Sequence, residues 1–237
     1  MALSMRPSIS VVTPTCRRPT GLALATRWLQ AQTIAPDEWI IANDSTEPPG
    51  PYNFLDNLER GVARARGDLI VFWEDDDYYA PTHLAALLDL FSVVPDGLLF
   101  GDDMQRYYNL PYRRYKVMAN QGASLCQTAM HRMLLPWFHD VIVSCRGIVH
   151  KAPYGVDGRL WGPVLRGDLR GALAPLDTVV GIKGLPGTMG LGLGHRPERV
   201  AMWEDDAAGE QLRRWITDPA AVATYEALFP TAEPVQW

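Results

Sequence analysis

Leu69-Ile70-Val71-Phe72-Trp73 is an unbroken apolar run that passes directly into four consecutive acids, Glu74-Asp75-Asp76-Asp77. A short run without polar alternation suits a strand buried on both faces, as in a parallel sheet covered by helices on each side. The flanking segments agree. Ser8 to Thr13 and Trp39 to Ala42 are further short strands, and Leu98 to Phe100 is a fourth. Between them, Gly21 to Gln32 puts Leu22, Ala25 and Leu29 on one helical face. Phe54 to Arg66 sets Leu55, Leu58, Val62 and Ala65 at i, i+3, i+7 and i+10, and Thr82 to Val94 aligns Leu84, Leu87, Leu88 and Phe91. Strands alternating with helices of about a dozen residues read as βαβ units, with right-handed crossovers. The expected fold is α/β, a mainly parallel central sheet between two helical layers.

The second half is less regular. Arg106 to Lys116 interleaves Tyr with Arg and Lys, a pattern that suits single-stranded nucleic acid or a polyanionic glycan and equally a half-buried strand pair. Ser124 to Arg132 reads as a strand and Met133 to His139 as a short apolar element. Asp157 to Leu165 reads as a helix with a kink at Pro163, and Thr178 to Ile182 as a strand. Gly184 to Gly194 holds five glycines and a proline in eleven residues and reads as a loop. Glu198 to Phe229 reads as helical with a break at Pro219. With 237 residues, one larger domain is expected.

The net charge of −5 argues against a protein that coats nucleic acid. Cys16, Cys126 and Cys145 are odd in number and far apart, which excludes a disulfide framework and any CxxC metal site and points to a reducing, cytoplasmic setting. No secretion signal is visible at the start, and no stretch spans a bilayer.

In open α/β sheets, ligands bind beyond the carboxyl ends of the strands. That rule singles out Pro14 to Arg18, Asn43 to Ser45, and Glu74 to Asp77. Four adjacent carboxylates repel one another, and a bound dication relieves the repulsion. Hard oxygen ligands at a strand end suit Mg2+ or Mn2+ with a diphosphate completing the shell. The alternative is a solvated acidic turn. Trp203-Glu204-Asp205-Asp206 repeats the letters in a polar, helical stretch with no preceding strand, where an exposed helix face is expected.

The segments SISVVTPTCRRP, IIANDST and ARARGDLIVFWEDDDYYAPTHL together resemble the family 2 inverting glycosyltransferases of the GT-A fold. The resemblance covers roughly residues 8 to 95 and becomes patchy beyond. It implies a GT-A-like three-layer α/β/α sandwich, with residues 8–103 as the nucleotide-sugar-binding half, 104–197 as the acceptor-binding half and 198–237 as a C-terminal helical segment. It also implies metal-dependent transfer of a sugar from a nucleotide diphosphate sugar to a hydroxyl, with inversion and with Mn2+ or Mg2+ as cofactor. By the same resemblance, Thr13, Pro14, Thr15 and Arg18 lie along the nucleotide, Asp44 contacts the base and Arg64 stands near the diphosphate. Glu74-Asp75-Asp76 occupies the DxD position, with Glu in place of the first Asp, so that Glu74 and Asp75 touch donor sugar or metal and Asp76 is a metal ligand. His195 is a further metal ligand, and Arg196 or Lys183 neutralises the leaving diphosphate. Asp157, in a segment resembling the one that carries the family's base, is the general base, although Val156 replaces the usual Glu. An Asp there also suits a helix N-cap. Trp137, His139 and Tyr154 are candidates to stack on the acceptor, and Asp102, Asp103 and Asp140 are the other acids in reach of a base role.

Three alternatives stand beside this reading. A nucleotidyltransferase shares the fold but carries a Gly-rich signature after the first strand, which TPTCRRP lacks. A non-catalytic nucleotide-sugar or glycan-binding protein has no need of Asp157. A transferase acting on hydroxymethylated DNA bases draws on the Arg/Tyr run and is opposed by the net charge.

Overall fold

A computed structural model describes residues 6–43, 51–94, 96–119, 122–148, 155–187 and 190–230. In chain order its elements are β1 (Ile9–Thr15), α1 (Pro19–Gln30), β2 (Glu38–Asn43), α2 (Pro51–Arg64), β3 (Leu69–Phe72), β4 (Tyr78–Tyr79), α3 (His83–Val93), β5 (Leu99–Asp102), β6 (Met104–Asn109), β7 (Arg114–Ala119), β8 (Thr128–His131), α4 (Leu135–Arg146), α5 (Val156–Arg166), β9 (Gly171–Ala174), β10 (Val179–Lys183), α6 (Pro197–Val200), β11 (Glu204–Asp205), α7 (Glu210–Trp215) and α8 (Pro219–Leu228).

The central sheet has six strands in the order β2-β1-β3-β8-β5-β9. β1 pairs in parallel with β2 and β3, and β5 with β9; β8 alone runs against its neighbours β3 and β5. The sheet is therefore mainly parallel, as expected. The inner strands β1 and β3 are buried along their whole length because both faces are covered, whereas β2 at the edge is partly exposed. Ile9, Val11, Leu69 and Val71 pack with Leu24 and Trp28 of α1 and Leu84 and Leu87 of α3. The alternate residues Val12, Ile70 and Phe72 point the other way, onto Leu55 and Leu58 of α2, Phe138 and Ile142 of α4, and Trp161 of α5. Period-two alternation thus divides one strand between two cores. Each fully buried Leu or Phe contributes about 1.5–3 kcal/mol.

The second half departs from expectation in four ways. A second sheet, β11-β7-β6-β10-β4, stands beside the first, where one sheet was expected. Its centre is the hairpin β6–β7, so Arg106 to Lys116 is a strand pair. Ser124 to Arg132 is a strand only from Thr128, because Ser124 and Gln127 close a capping box around a single 3-10 turn. Glu198 to Phe229 is not one broken helix. It holds α6, the two-residue strand β11, α7 and α8, with Asp206 capping α7 through the backbone N–H groups of Gln211 and Leu212. The second Glu-Asp pair, Glu204-Asp205, therefore lies in a strand and not on a helix face, though both residues are exposed as expected.

Candidate active site

Beyond the carboxyl ends of β1 and β3 lies a cavity of about 490 Å3. Pro14, Thr15 and Arg18 reach it from the end of β1, and Glu74, Asp75 and Asp76 from the end of β3. Cys126 lies beside the acids. Lys183, the last residue of β10, and His195 enter from the side of the glycine loop, and Asp157 from the first turn of α5. Tyr107, Lys116 and Met118 line it from one face of the β6–β7 hairpin, where Tyr107 sits opposite Lys116.

Three of the four acids, Asp75, Asp76 and Asp77, are paired with basic side chains. Arg18 bridges it, one guanidinium nitrogen donating to Asp75 and the other to Asp76 at 2.8 Å. Thr15 donates its hydroxyl to Asp75 at 2.6 Å. His195 Nε2 lies 3.2 Å from Asp76 Oδ2, and Lys183 Nζ lies 3.0 Å from Asp77 Oδ1 and 4.0 Å from Asp76 Oδ2. Behind the run, the Tyr79 hydroxyl accepts from the Glu74 backbone N–H at 2.7 Å while its ring stacks on Trp73 with centroids 3.6 Å apart. The turn is thus held by its backbone as well as by its charges.

Electrostatics divides the four acids. Burial pushes Asp75 up to about 6 although Arg18 pulls against it. Burial acts on Asp76 too, but Arg18, Lys183 and His195 outweigh it and hold this carboxyl well below its usual range. Glu74 is raised by burial and by the charges of Asp77 and Asp76. Burial lowers His195, which favours the neutral imidazole that a metal would need.

The donor set fits a divalent cation. Among the described residues, the permanent cations paired with the four acids are Arg18 and Lys183, and a carboxylate oxygen stands 3.2 Å from an imidazole nitrogen. Oxygen ligands with imidazole suit Mn2+ better than Mg2+.

Pro14, Thr15, Arg18, Glu74, Asp75, Asp76, Asp157 and His195 meet on one cavity. Thr13 does not; it is buried under the sheet, where its hydroxyl accepts from Trp39 Nε1. Arg64 is exposed at the end of α2 and Arg196 is exposed before α6, and neither lines the cavity. Asp44 and Tyr154 lie outside the described residues. Asp157 is not the N-cap of α5, a position that Gly155 takes; its carboxylate accepts from Gly158 N at 2.8 Å, and burial raises its pKa. Of the four acids considered for a base, Asp157 alone lines the cavity. Asp102 accepts from the backbone of Met104 and Asp177 instead.

Two acceptor-side expectations are corrected. Trp137 and His139 lie on α4 away from the cavity, and His139 bonds Glu59. The arginines of the Arg/Tyr run are held internally: Arg106 by Asp177, Arg113 by the carbonyls of Ala207, Phe229 and Pro230, and Arg114 by those of Ala201 and Trp203. Cys126, Tyr107, Lys116 and Trp203 were not foreseen on the cavity. Lys183 had a signal, since a lysine ending a buried apolar strand needs an anion to face. Cys126 had none.

Fold and cavity define an α/β protein with an acid-lined pocket at the carboxyl ends of its parallel strands. No protein-family model matches the chain, and no curated protein matches it. Among solved structures it is similar to glucosyl-3-phosphoglycerate synthase from Mycobacterium tuberculosis, crystallised with Mn2+, uridine diphosphate and phosphoglyceric acid. That match has 15% identity and a TM-score of 0.45, and covers 74% of this chain and 68% of that one. S. aureus TarS 1-349 matches at 15% identity and a TM-score of 0.40, over 56% of this chain and 49% of that one. A second TarS structure matches at 11% and 0.39, over 55% and 29%. The chain thus spans less than half of either TarS structure. Likeness this distant says nothing of activity.

Proposed function

We propose that the chain is a metal-dependent inverting glycosyltransferase that moves a sugar from a nucleotide diphosphate sugar to an acceptor hydroxyl. One observation carries the reading: the strand-end turn Pro14-Thr15, Arg18, the acids Glu74 to Asp76 and His195 converge on a single cavity that Asp157 also faces. Asp76 and His195, with Asp75 beside them, would hold Mn2+ or Mg2+. Bound there, the ion would act as a Lewis acid toward the diphosphate leaving group. Pro14, Thr15 and Glu74 line the donor's place. The half-buried Arg18 and the buried Lys183 are cations on the cavity, suited to offset diphosphate charge. Thr13 and Arg64 would act only from a distance, and Arg199, on the cavity wall, takes the part first given to Arg196. Asp157 accepts the proton of the acceptor hydroxyl as that oxygen attacks, and its raised pKa makes it a stronger base than a free carboxylate. Contact of Asp44 with the base stays part of the proposal.

Cys16, Cys126 and Cys145 form no disulfide, which fits a reducing, cytoplasmic location. Among the described residues, no helix is long and apolar enough to cross a membrane.

The test is release of free nucleotide diphosphate from UDP-, GDP-, CDP- and TDP-sugars with and without Mn2+. Asp76→Ala is expected to abolish metal-dependent turnover in a folded protein, and Glu204→Ala to leave it intact. Full activity of Asp76→Ala at matched metal would refute the site.

A further inference from the structure

Cys126 has no part in the chemistry above, yet it sits against the acid run with its side chain almost fully buried. Among the described residues, Glu74, Asp77 and Cys126 are the group that brings three potential metal-ligand atoms within 4.8 Å of one another. We propose that these three residues form a second cation site, selective for a thiophilic dication of the zinc type.

Four observations carry this. Asp77 is 1% exposed; its Oδ1 takes Lys183, and its Oδ2 is buried with no well-formed hydrogen bond, only the Cys126 thiol and the Glu74 carboxyl standing near the carboxylate. An orphaned carboxylate oxygen in a dry interior is costly, and a cation is the partner it lacks. Second, the charges close. Two carboxylates and a thiolate, less the Lys183 ammonium, leave two negative charges for a dication to cancel. Third, the three ligand atoms already lie within 4.8 Å of one another, and binding would draw them to the roughly 3.3–3.5 Å that separates sulfur and oxygen ligands in a tetrahedral shell. Fourth, the ligands are held from outside. Ser124 Oγ lies 3.2 Å from Cys126 Sγ, and Tyr79 fixes the Glu74 backbone. Glu74 and Cys126 also line the cavity, so the remaining coordination position opens toward it.

The thiolate sets this site apart from the one at Asp76 and His195. Sulfur selects zinc-like ions, whereas Mg2+ and Mn2+ favour oxygen. Binding would displace the thiol proton as Cys126 becomes a thiolate. The inference thus goes beyond the proposed activity and does not depend on it.

The probe is the metal alone, without nucleotide. The wild-type chain is expected to retain one Zn2+ through dialysis, and Co2+ in its place to give an intense near-ultraviolet thiolate-to-cobalt band. Cys126→Ala is expected to lose both, while Cys16→Ala and Asp76→Ala keep both. Asp77→Asn is expected to weaken Zn2+ retention about tenfold or more. Absence of the band in the wild type overturns the proposal even if no variant folds. So does a band that survives Cys126→Ala, or Zn2+ retention unaltered in Asp77→Asn. Zn2+ lost in Asp76→Ala but kept in Cys126→Ala would place the ion with His195 and also overturn it. None of these measurements involves turnover, so their failure is distinct from failure of the glycosyltransferase reading.

Discussion

Asp157 accepts from the backbone N–H of Gly158 at the opening turn of α5 while facing the cavity, and burial raises its pKa. A base role and a purely structural role predict different things of one substitution. Asp157→Asn keeps the shape and the hydrogen-bond acceptor but cannot take a proton. If Asp157 is the base, kcat falls about 10²–10⁴-fold while donor Kd hardly moves, because the interaction lives in the transition state. The raised pKa also sets a sign. The base works only when ionised, so wild-type kcat/KM should fall as pH drops through a value above that of a free aspartate, and Asp157→Asn should lose that acid limb. Steady-state rates across pH, with calorimetry for donor, measure both. Retention of more than about a tenth of kcat would remove the assignment.

At the scale of elements, the glycine loop and α3 make separate predictions. Gly190 packs directly over His195: a Cβ there would stand 2.2 Å from Nε2, whereas one on Gly192 would meet the ring at an ordinary 3.8 Å. Gly190→Ala must therefore displace the imidazole, at about 1–3 kcal/mol for the forced repacking, or about tenfold or more in metal-dependent donor Kd. Gly192→Ala should be near neutral in the same titration. Near the start of α3, His83 is fully buried, bonded through Nδ1 to Thr178 at 2.8 Å, and burial drops its pKa from 6.5 to about 3. The unfolded chain takes the proton first as pH falls. Stability is thus complete above about 6.5 and lost below it, by about 2 kcal/mol at pH 5. Denaturant melts at pH 7 and pH 5 should show His83→Gln free of this loss; identical pH dependence in both chains would refute it. What could be read in advance follows from how local each element's cause is. β1, β2, β3 and β5, and α1 to α3, were visible because apolar period and strand length decide them within a dozen residues, whereas the two-residue β4 was not. The acid turn was visible because it follows a buried strand. β11, the hairpin's packing and the approach of Cys126 to Asp77 depend on partners dozens of residues away, which no local pattern carries.

Across the whole molecule, the C-terminal segment is stapled back over both sheets' neighbours. Trp28 of α1 donates to the Tyr225 hydroxyl of α8 at 3.0 Å, and Arg113 in the hairpin turn donates to the carbonyls of Ala207, Phe229 and Pro230. Arg113→Ala leaves those carbonyls to water and should cost about 1–3 kcal/mol. Arg113→Lys should not rescue it, since a single ammonium cannot span three acceptors as a planar fork does. Chemical denaturation measures the first, and protease cutting ahead of Pro219 should rise in step; unchanged stability and cleavage would show that other packing holds the tail. Arg18 carries a different kind of consequence. By lying across Asp75 and Asp76 it gives the molecule a counter-ion written into its own chain. On the proposed reading, the fold would mature before any metal arrives, and a chelator would silence the cavity without unmaking the protein. Folding and activation would then be separate events, with the arginine standing in for the ion until it binds.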